Sequence, residues 1–387
     1  MEKIVYIFKK GVFLITCGRG IMPFLHKEVK QLGYDVLSSH ETGLEIEAEY
    51  EDCYKLNLCL RTAMHVMYLL KKFACTSPDE LYKVVSSLPW EDIISPTEYV
   101  SVVSMADTKH LKNSMFASQR VKDAIVDRIM QRCGSRPDAG PQRDNVVINL
   151  FWKNNRCWLY VDTSGNKLSD RTYRKFPHTA PLRETLAAAL LSAANYDGSV
   201  PLVDPMCGSG TLAIEAALIA LNRAPGLLRV NYGLMHLKNF NSDAWQATRK
   251  QIKKNSKQQL PAKIIASDIS QQAVDTAKKN AQTAGVEQLI EFHVCDFRQI
   301  IMPEPGGIII TNPEYGIRMG QEIQLRKIYK DMGTFFQTKC NGYKAYVFAG
   351  NMRLAEQIPL QPADTTYFSN AKIDCKLFEY DLANEYD

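Results

Sequence analysis

From residue 201 onward, the chain repeats one order of elements: a short apolar run, a turn and a helix. Runs typical of strands lie at 201–203, 262–267, 290–294, 307–311 and 344–349, and helical periodicity appears at 271–284. Strands that alternate with helices favour a parallel sheet covered on both faces. The pattern therefore predicts an α/β domain with a Rossmann-like, mostly parallel and doubly wound sheet.

The N-terminal half mixes strands and helices differently. It has strand-like runs at 13–16, 42–48, 66–73, 99–105, 146–152 and 157–162, with helical patterns at 22–32, 78–87 and 113–132. We expect two α+β modules, at 1–48 and 49–162, then a polar, basic linker at 163–175. The α/β domain is predicted to occupy 176–387.

Composition narrows the class of protein. The 387 residues include no run of eighteen apolar residues, and the N-terminus has only a short apolar stretch, so we expect neither a membrane span nor a secretory signal. The ten cysteines show no C-x-x-C spacing, which favours reduced thiols and predicts no metal site. A cytoplasmic protein is expected.

Positive charge is concentrated in one segment, 106–143, although the whole chain carries a formal charge of only +5. Lys109, Lys112 and Arg120 in this segment, with Arg171 in the linker, are candidate contacts to an RNA backbone. A solvated helix face is the alternative interpretation, because these side chains form no clean stripe.

A glycine turn follows the first strand of the α/β domain. Gly208 and Gly210 would let the backbone approach a ligand and direct free amide hydrogens toward it. The preceding Asp204 would repel a pyrophosphate but would suit an ammonium group, such as that of S-adenosylmethionine. The alternative is a plain tight turn with a helix-capping aspartate.

Two later strands also end in carboxylates. Asp268 could accept hydrogen bonds from both ribose hydroxyls, or it could cap the helix that begins near residue 271. It lies far beyond the spacing of a dinucleotide fingerprint, because 222–261 is inserted before it. Asp296 could accept from an adenine amine while Phe297 packs on the ring; the alternative is a surface aspartate beside a core phenylalanine.

The sequence Asn312-Pro-Glu-Tyr315 follows the fourth strand. An asparagine oxygen and a backbone carbonyl that both accept from an exocyclic amine favour the pyramidal nitrogen needed for methyl transfer. Pro313 has no amide hydrogen and helps to present its carbonyl. Tyr315 would stack on an extruded base.

These motifs, in this order, resemble class I S-adenosylmethionine-dependent amino-methyltransferases. The segments 178–187 and 224–233, with Trp245, are similar to the bacterial THUMP-domain enzymes that methylate guanine N2 in 23S rRNA. The resemblance covers nearly the whole chain and implies a ferredoxin-like start, a THUMP module and a catalytic domain. It implies that S-adenosylmethionine contacts Thr179, Met206, Thr211, Ile269 and Asn312 besides the residues above.

One position departs from the family pattern, in which a second proline precedes the tyrosine. Here Glu314 stands in its place, while Asn312 and Pro313 are retained. We therefore expect an RNA guanine-N2 methyltransferase that acts on 23S rRNA or an assembly intermediate, with an altered substrate or rate left open. The oligomeric state is also left open.

Four alternatives remain at this stage: the same chemistry on tRNA, DNA amine methylation, a non-catalytic RNA-binding or ribosome-assembly protein, and a dinucleotide-dependent oxidoreductase. The carboxylates of Asp204, Asp268 and Asp296 argue against the non-catalytic protein, because such a protein would not need a cofactor pocket. Asp204 and the distance to Asp268 argue against an oxidoreductase.

Overall fold

The computed structural model describes residues 8–111, 113–175, 182–304, 306–314 and 322–382. The chain forms two compact units. The first unit comprises Met1–Cys17, Val29–Leu168 and Arg229–Gln251, and the second comprises Gly18–Glu28, Ser169–Leu228 and Ile252–Asp387.

The first unit is built on one eight-stranded sheet. Its strands are β1 (Gly11–Thr16), β2 (Val36–His40), β3 (Gly43–Ala48), β4 (His65–Ala74), β5 (Tyr99–Asp107), β6 (Asp138–Ala139), β7 (Val146–Lys153) and β8 (Arg156–Asp162). Their order is β2-β3-β1-β4-β8-β7-β5-β6, and β5 runs parallel to β6 and β7 while the other pairs are antiparallel. The two predicted α+β modules thus share a continuous sheet.

The helices of the N-terminal half are α1 (Met22–Gln31), α2 (Asp52–Cys59), α3 (Pro78–Ser86), α4 (Trp90–Ile93) and α5 (Ser114–Cys133). Local signals fix their ends. The Ser77 side chain accepts from the Glu80 amide at the start of α3, and Asn113 caps α5 by accepting from Met115. Gly134 ends α5 with a φ of 71°, a conformation that favours glycine.

The second unit has a seven-stranded sheet. Its strands are β9 (Leu202–Asp204), β10 (Ile264–Asp268), β11 (Glu291–Val294), β12 (Ile308–Thr311), β13 (Lys344–Ala349), β14 (Asp364–Asn370) and β15 (Ile373–Asp381). The order is β11-β10-β9-β12-β13-β15-β14. The first five strands are parallel, and β15 is antiparallel to both of its neighbours. This confirms the predicted mostly parallel α/β sheet, although the closing hairpin was not predicted.

The remaining helices are α6 (Glu184–Ala193), α7 (Thr211–Ala220), α8 (Ser242–Lys254), α9 (Gln271–Ala284), α10 (Glu322–Lys339) and α11 (Met352–Ala355). In the described part of the chain, no helix is both long and apolar enough to cross a membrane.

The order in which the chain adds strands to the second sheet switches sides at β9. From β9 it moves to β10 and β11 on one side, and it then returns to place β12 on the other side. In open α/β sheets, ligands bind outside the carboxyl ends of the strands at such a switch point. The loops after β9 and β12 are therefore where a cofactor site is expected.

The middle of the inserted segment before β10, Arg229–Gln251, groups with the first unit rather than with the sheet that it interrupts. The buried guanidinium of Arg229 donates to the carbonyl oxygens of Ser164, Asn166 and Lys167 at 3.1 to 3.3 Å. The Trp245 ring meets Tyr54 edge-on, with centroids 5.6 Å apart. These long-range contacts explain why the compact units do not follow the predicted boundaries in sequence.

Candidate active site

The glycine turn joins the ends of β9 and β10. The Cys207 amide donates to the Ser267 carbonyl at 2.8 Å, and the Gly208 amide donates to Asp268 Oδ2 at 3.0 Å. Gly208 has a φ of 51°, and no described atom lies within 4 Å of the place where its Cβ would be, whereas a Cβ on Gly210 would lie 2.9 Å from Ala277 Cβ. The first glycine therefore leaves room for a ligand, and the second allows α7 to pack on α9.

Asp204 is a buried carboxylate at the end of β9. Its Oδ1 has no hydrogen-bond partner among the described residues. Burial raises the pKa of this carboxyl well above its usual range, and the nearby charge of Asp268 adds to the effect. A cationic ligand group would supply the missing partner and restore the ionised form, so the site fits an ammonium group.

Asp268 lies at the end of β10 with both oxygens engaged by the backbone. Oδ2 accepts from Gly208, and Oδ1 accepts from the Ser270 amide at 2.9 Å. The α9 cap is Ser270, whose hydroxyl accepts from Ala273, so the helix-cap interpretation of Asp268 is wrong. Ionised carboxylate oxygens can each accept further hydrogen bonds, and ribose hydroxyls fit this requirement. The neighbouring Ile269 is exposed.

Asp296 and Phe297 follow β11, and their side chains lie in different environments, one beside a cation and the other in the hydrophobic core. Arg298 donates from Nε to Asp296 Oδ1 at 2.8 Å and also pairs with Oδ2, and this bonding lowers the pKa of the Asp296 carboxyl. The Phe297 ring is 8% exposed and meets Phe335 edge-on at 5.6 Å. Phe297 thus packs in the core, and the contact of its ring with an adenine stays a prediction.

Asn312 follows the last residue of β12. Its Oδ1 is buried and has no hydrogen-bond partner among the described residues, and the same holds for Thr311 Oγ1. Pro313 is buried, while Glu314 is exposed, and the Tyr329 hydroxyl donates to the Glu314 carbonyl at 3.4 Å. An open acceptor thus lies at the carboxyl end of β12, the strand next to β9 and its open Asp204 oxygen.

The other predicted ligand contacts have mixed positions. Met206 is partly buried against the hydrophobic core of the sheet, and Thr211 Oγ1 accepts from Arg174 at 3.1 Å. Thr179, Tyr315 and Lys112 lie outside the described residues.

One of the candidate RNA contacts is wrong. Arg171 is 2% exposed, and its Nε lies 2.8 Å from the buried Glu215 Oε1, so its guanidinium is not available to a phosphate. Arg120 is partly exposed, but it pairs with Asp79 at 2.8 Å. Lys109 is exposed.

Sequence reasoning missed a buried ionic cluster close to the glycine turn. The Arg174 guanidinium donates to the Thr211 hydroxyl and pairs with Glu184 Oε1 at 3.1 Å. The Tyr173 hydroxyl donates to Glu215 at 3.2 Å. Burial raises the pKa of Glu184 to about 7. The signal in the sequence was a single glutamate in each of two apolar helices, α6 and α7.

A parallel sheet that closes with an antiparallel hairpin, with acidic residues at its switch point, is typical of the class I methyltransferase fold. Family models agree: an RMKL-like methyltransferase domain matches residues 171–379, a THUMP domain matches 75–162, and an RlmL ferredoxin-like domain matches 12–67. The chain belongs to the RMKL-like methyltransferase family. The predicted family and fold are thereby confirmed.

Individual relatives extend the similarity. The chain is 34% identical over 384 residues to a ribosomal RNA large subunit methyltransferase K/L of Syntrophotalea carbinolica, which covers 96% of this chain and 54% of the relative. It is 30% identical to a putative RNA methyltransferase of Synechocystis, with 96% of both chains covered. The chain thus spans about half the length of its K/L relatives.

A solved structure from Listeria monocytogenes superimposes with a TM-score of 0.86 at 28% identity and covers 98% of both chains. It is described as a predicted N6-adenine-specific DNA methylase.

Proposed function

We propose that this protein transfers the methyl group of S-adenosylmethionine to the exocyclic N2 amine of a guanine in large-subunit ribosomal RNA, in the cytoplasm. The observation that carries the proposal is the buried Oδ1 of Asn312 beyond β12, which has no hydrogen-bond partner in the part of the chain that the structure describes. An orphaned buried acceptor is costly unless a ligand pairs with it. An exocyclic amine has the donors to do so.

The chemistry follows from two acceptors. Asn312 Oδ1 and the Pro313 carbonyl would each accept one hydrogen of the amine, which turns the nitrogen lone pair out of conjugation with the ring. The cofactor supplies an electrophilic methyl group on a sulfonium. The amine proton leaves as or after the nitrogen gains the methyl group, so neither a strong base nor a metal is required by this proposal.

The cofactor is assigned to the loops around β9, β10 and β11. Asp204 would pair with its ammonium group, Asp268 with its ribose hydroxyls and Asp296 with its adenine amine. The open space beside Gly208 supports a close approach of the ligand to the backbone. The other proposed contacts are Thr179, Met206, Gly210, Thr211 and Ile269.

The choice of ribosomal RNA is supported by the names of the K/L relatives and by the THUMP match. Adenine N6 is a second candidate because of the description of the Listeria structure. The same two acceptors would serve either amine, since both are conjugated to a purine ring. Transfer RNA remains an alternative substrate, and an assembly factor without turnover remains an alternative function.

The test is methyl transfer from radiolabelled S-adenosylmethionine to protein-free 23S rRNA, 16S rRNA, tRNA and DNA, followed by nucleoside analysis. We expect N2-methylguanosine from 23S rRNA. N6-methyladenosine would overturn the assignment of the base, and label only in tRNA or DNA would overturn the assignment of the substrate.

Asn312→Ala tests the acceptor separately from binding. We expect a loss of about 10²- to 10³-fold in kcat, the usual effect of removing one group that stabilises a transition state. Calorimetry with S-adenosylmethionine serves as the control, and cofactor affinity should change little. Full turnover by this variant would refute the role of Asn312.

A further inference from the structure

Four side chains lie in one row across the sheet of the first unit. Lys72 on β4 is directly opposite Trp158 on β8, Trp158 is opposite Phe151 on β7, and Phe151 is opposite Met105 on β5. Residues that face each other in a ladder project on the same side of the sheet. Lys72, Trp158, Phe151 and Met105 therefore share one face, here called the aromatic row.

The aromatic row lies on the face opposite α5. Ser104 Oγ is 2.6 Å from Ser118 Oγ of α5, so Ser104 points toward that helix. Successive residues of a strand point to opposite faces. Met105 therefore points away from α5, and it is 68% exposed, a high value for a methionine within a strand.

The rings of the aromatic row are held on a packed floor. Phe151 and Trp158 are partly buried and pack against a small cluster of Leu14, Met67 and Tyr160. The Phe151 and Tyr160 rings meet edge-on at 5.6 Å. Lys72 Nζ lies 5.5 Å from the centroid of the Trp158 ring. Rings fixed in this way lose little conformational entropy when a flat ligand stacks on them.

Positive charge flanks the row at the end of the β7–β8 hairpin. Lys153 lies two residues after Phe151 on β7, and Arg156 lies two residues before Trp158 on β8. The two are opposite each other in the ladder, and both are exposed on the face that carries the aromatic row. Asp107 is their acidic neighbour, opposite Lys153 on β5. Among the described residues, Lys72, Lys153 and Arg156 thus flank the row together with Asp107, and Glu45, opposite Leu14 on β3, is a second acidic side chain on this face. The balance of these charges is positive, which complements a polyanion that carries flat rings.

We propose that the aromatic row binds unpaired bases of single-stranded RNA by stacking, with Lys72, Lys153 and Arg156 contacting the phosphates. The inference rests on the RNA-methyltransferase proposal only for the class of polymer. Aromatic platforms flanked by basic side chains bind single strands with little sequence preference, because every base has a π face. A duplex hides those faces.

Tryptophan fluorescence offers a direct test. Of the four tryptophans, Trp90, Trp152 and Trp245 are buried, whereas Trp158 is partly exposed. Titration of the whole chain with a short single-stranded RNA, without cofactor, should quench its fluorescence saturably. A duplex of the same sequence should quench it far less. Trp158→Phe should abolish the quench while retaining affinity measured by anisotropy of the labelled RNA.

Variants then measure the contribution of each group. Trp158→Ala should weaken single-strand binding by about 5- to 100-fold. Lys72→Gln should reduce the slope of log K against log salt by about 0.7. The matched controls are Lys83→Gln on α3 and Met130→Ala on α5, where Met130 is 49% exposed. Lys72→Gln and Met105→Ala, which both change the aromatic row, should each weaken single-strand affinity more than their matched controls Lys83→Gln and Met130→Ala do.

The result that overturns the proposal is wild-type affinity for single-stranded RNA in Trp158→Ala, or an RNA complex that leaves tryptophan fluorescence unchanged. A preference for the duplex would overturn it as well. These assays contain no cofactor, so they stand whether or not methyl transfer to guanine is detected. Methylation by a Trp158→Ala variant with unchanged RNA affinity would preserve the proposed function and eliminate this site.

Discussion

Arg171 and Glu215 allow a sharp test of the buried ionic cluster. Both side chains are at most 2% exposed, and the Arg171 Nε to Glu215 Oε1 distance is 2.8 Å. Replacing one partner leaves an uncompensated charge in the interior, which typically costs about 3 to 5 kcal/mol. We expect Arg171→Met and Glu215→Met each to lower the free energy of unfolding by about that amount.

The double variant separates the ion pair from packing. When both charges are removed together, no buried charge is left, and an apolar pair of similar size is close to neutral or stabilising. Arg171→Met with Glu215→Met should therefore be more stable than either single variant. A second effect opposes full recovery, because Tyr173 also donates to Glu215 at 3.2 Å.

The assay is urea unfolding followed by circular dichroism, with equal slopes required for comparison. The control is Arg326→Met, which breaks the ion pair with Glu322, in which both side chains are about half exposed. This variant should lower the free energy of unfolding by no more than about 0.5 kcal/mol. Strictly additive effects of the two single changes would refute the reasoning. So would a flatter salt dependence of RNA binding in Arg171→Met, since that slope reports phosphate contacts.

Three further results are expected from the site. Affinity for S-adenosylmethionine should fall as the pH is lowered through the raised pKa of Asp204, because only the ionised carboxylate pairs with an ammonium group. Calorimetry at several pH values checks this, and the Asp204→Asn variant should lack the pH effect. The pKa of Glu184 is raised to about 7 in the folded protein, from an ordinary value of 4.5. Its contribution to the free energy of unfolding is therefore present below pH 4.5 and is lost as the pH rises to about 7. Glu184→Gln should flatten the plot of unfolding free energy against pH in this range. Gly210→Ala should lower the free energy of unfolding more than Gly208→Ala does, by about 1 kcal/mol or more, because only a Cβ at 210 would overlap Ala277. Urea unfolding checks this difference, and Gly208→Ala should chiefly weaken cofactor binding in the calorimetric titrations.

Much of the second unit could be predicted because its information is local. Buried parallel strands are continuous apolar runs, as in Ile308–Thr311, and the glycine turn combines a strand end, two glycines and a helix start within a few residues. Asp204, Asp268 and Asn312 could be chosen for the same reason, since each directly follows or ends such a run. The β14–β15 hairpin was missed because its alternating pattern lacks a strong turn signal.

Sequence reasoning is weakest for side chains whose partners are distant in sequence. Arg171 lies in a basic stretch that suggests a surface, but its partner Glu215 is 44 residues away on α7. Phe297 stands next to a carboxylate that suggests a ligand, but its ring packs on Phe335 of α10. Sequence spacing indicates which side chains lie near a strand end, and it does not indicate which of them face the core.

Two buried oxygens, Asp204 Oδ1 and Asn312 Oδ1, have no hydrogen-bond partner among the residues that the structure describes, and they are stronger evidence for a ligand than the motifs around them. A turn with glycines and an aspartate is compatible with many ligands, and an Asn-Pro pair is compatible with a plain loop. A buried acceptor without a partner is different, because desolvation costs about 1 to 3 kcal/mol for a neutral group and more for a charge. Asp204 and Asn312 lie at the ends of β9 and β12, the two strands that flank the switch point. In the proposed function, the ammonium group of the cofactor would pair with the Asp204 oxygen and the amine of a base would donate to the Asn312 oxygen.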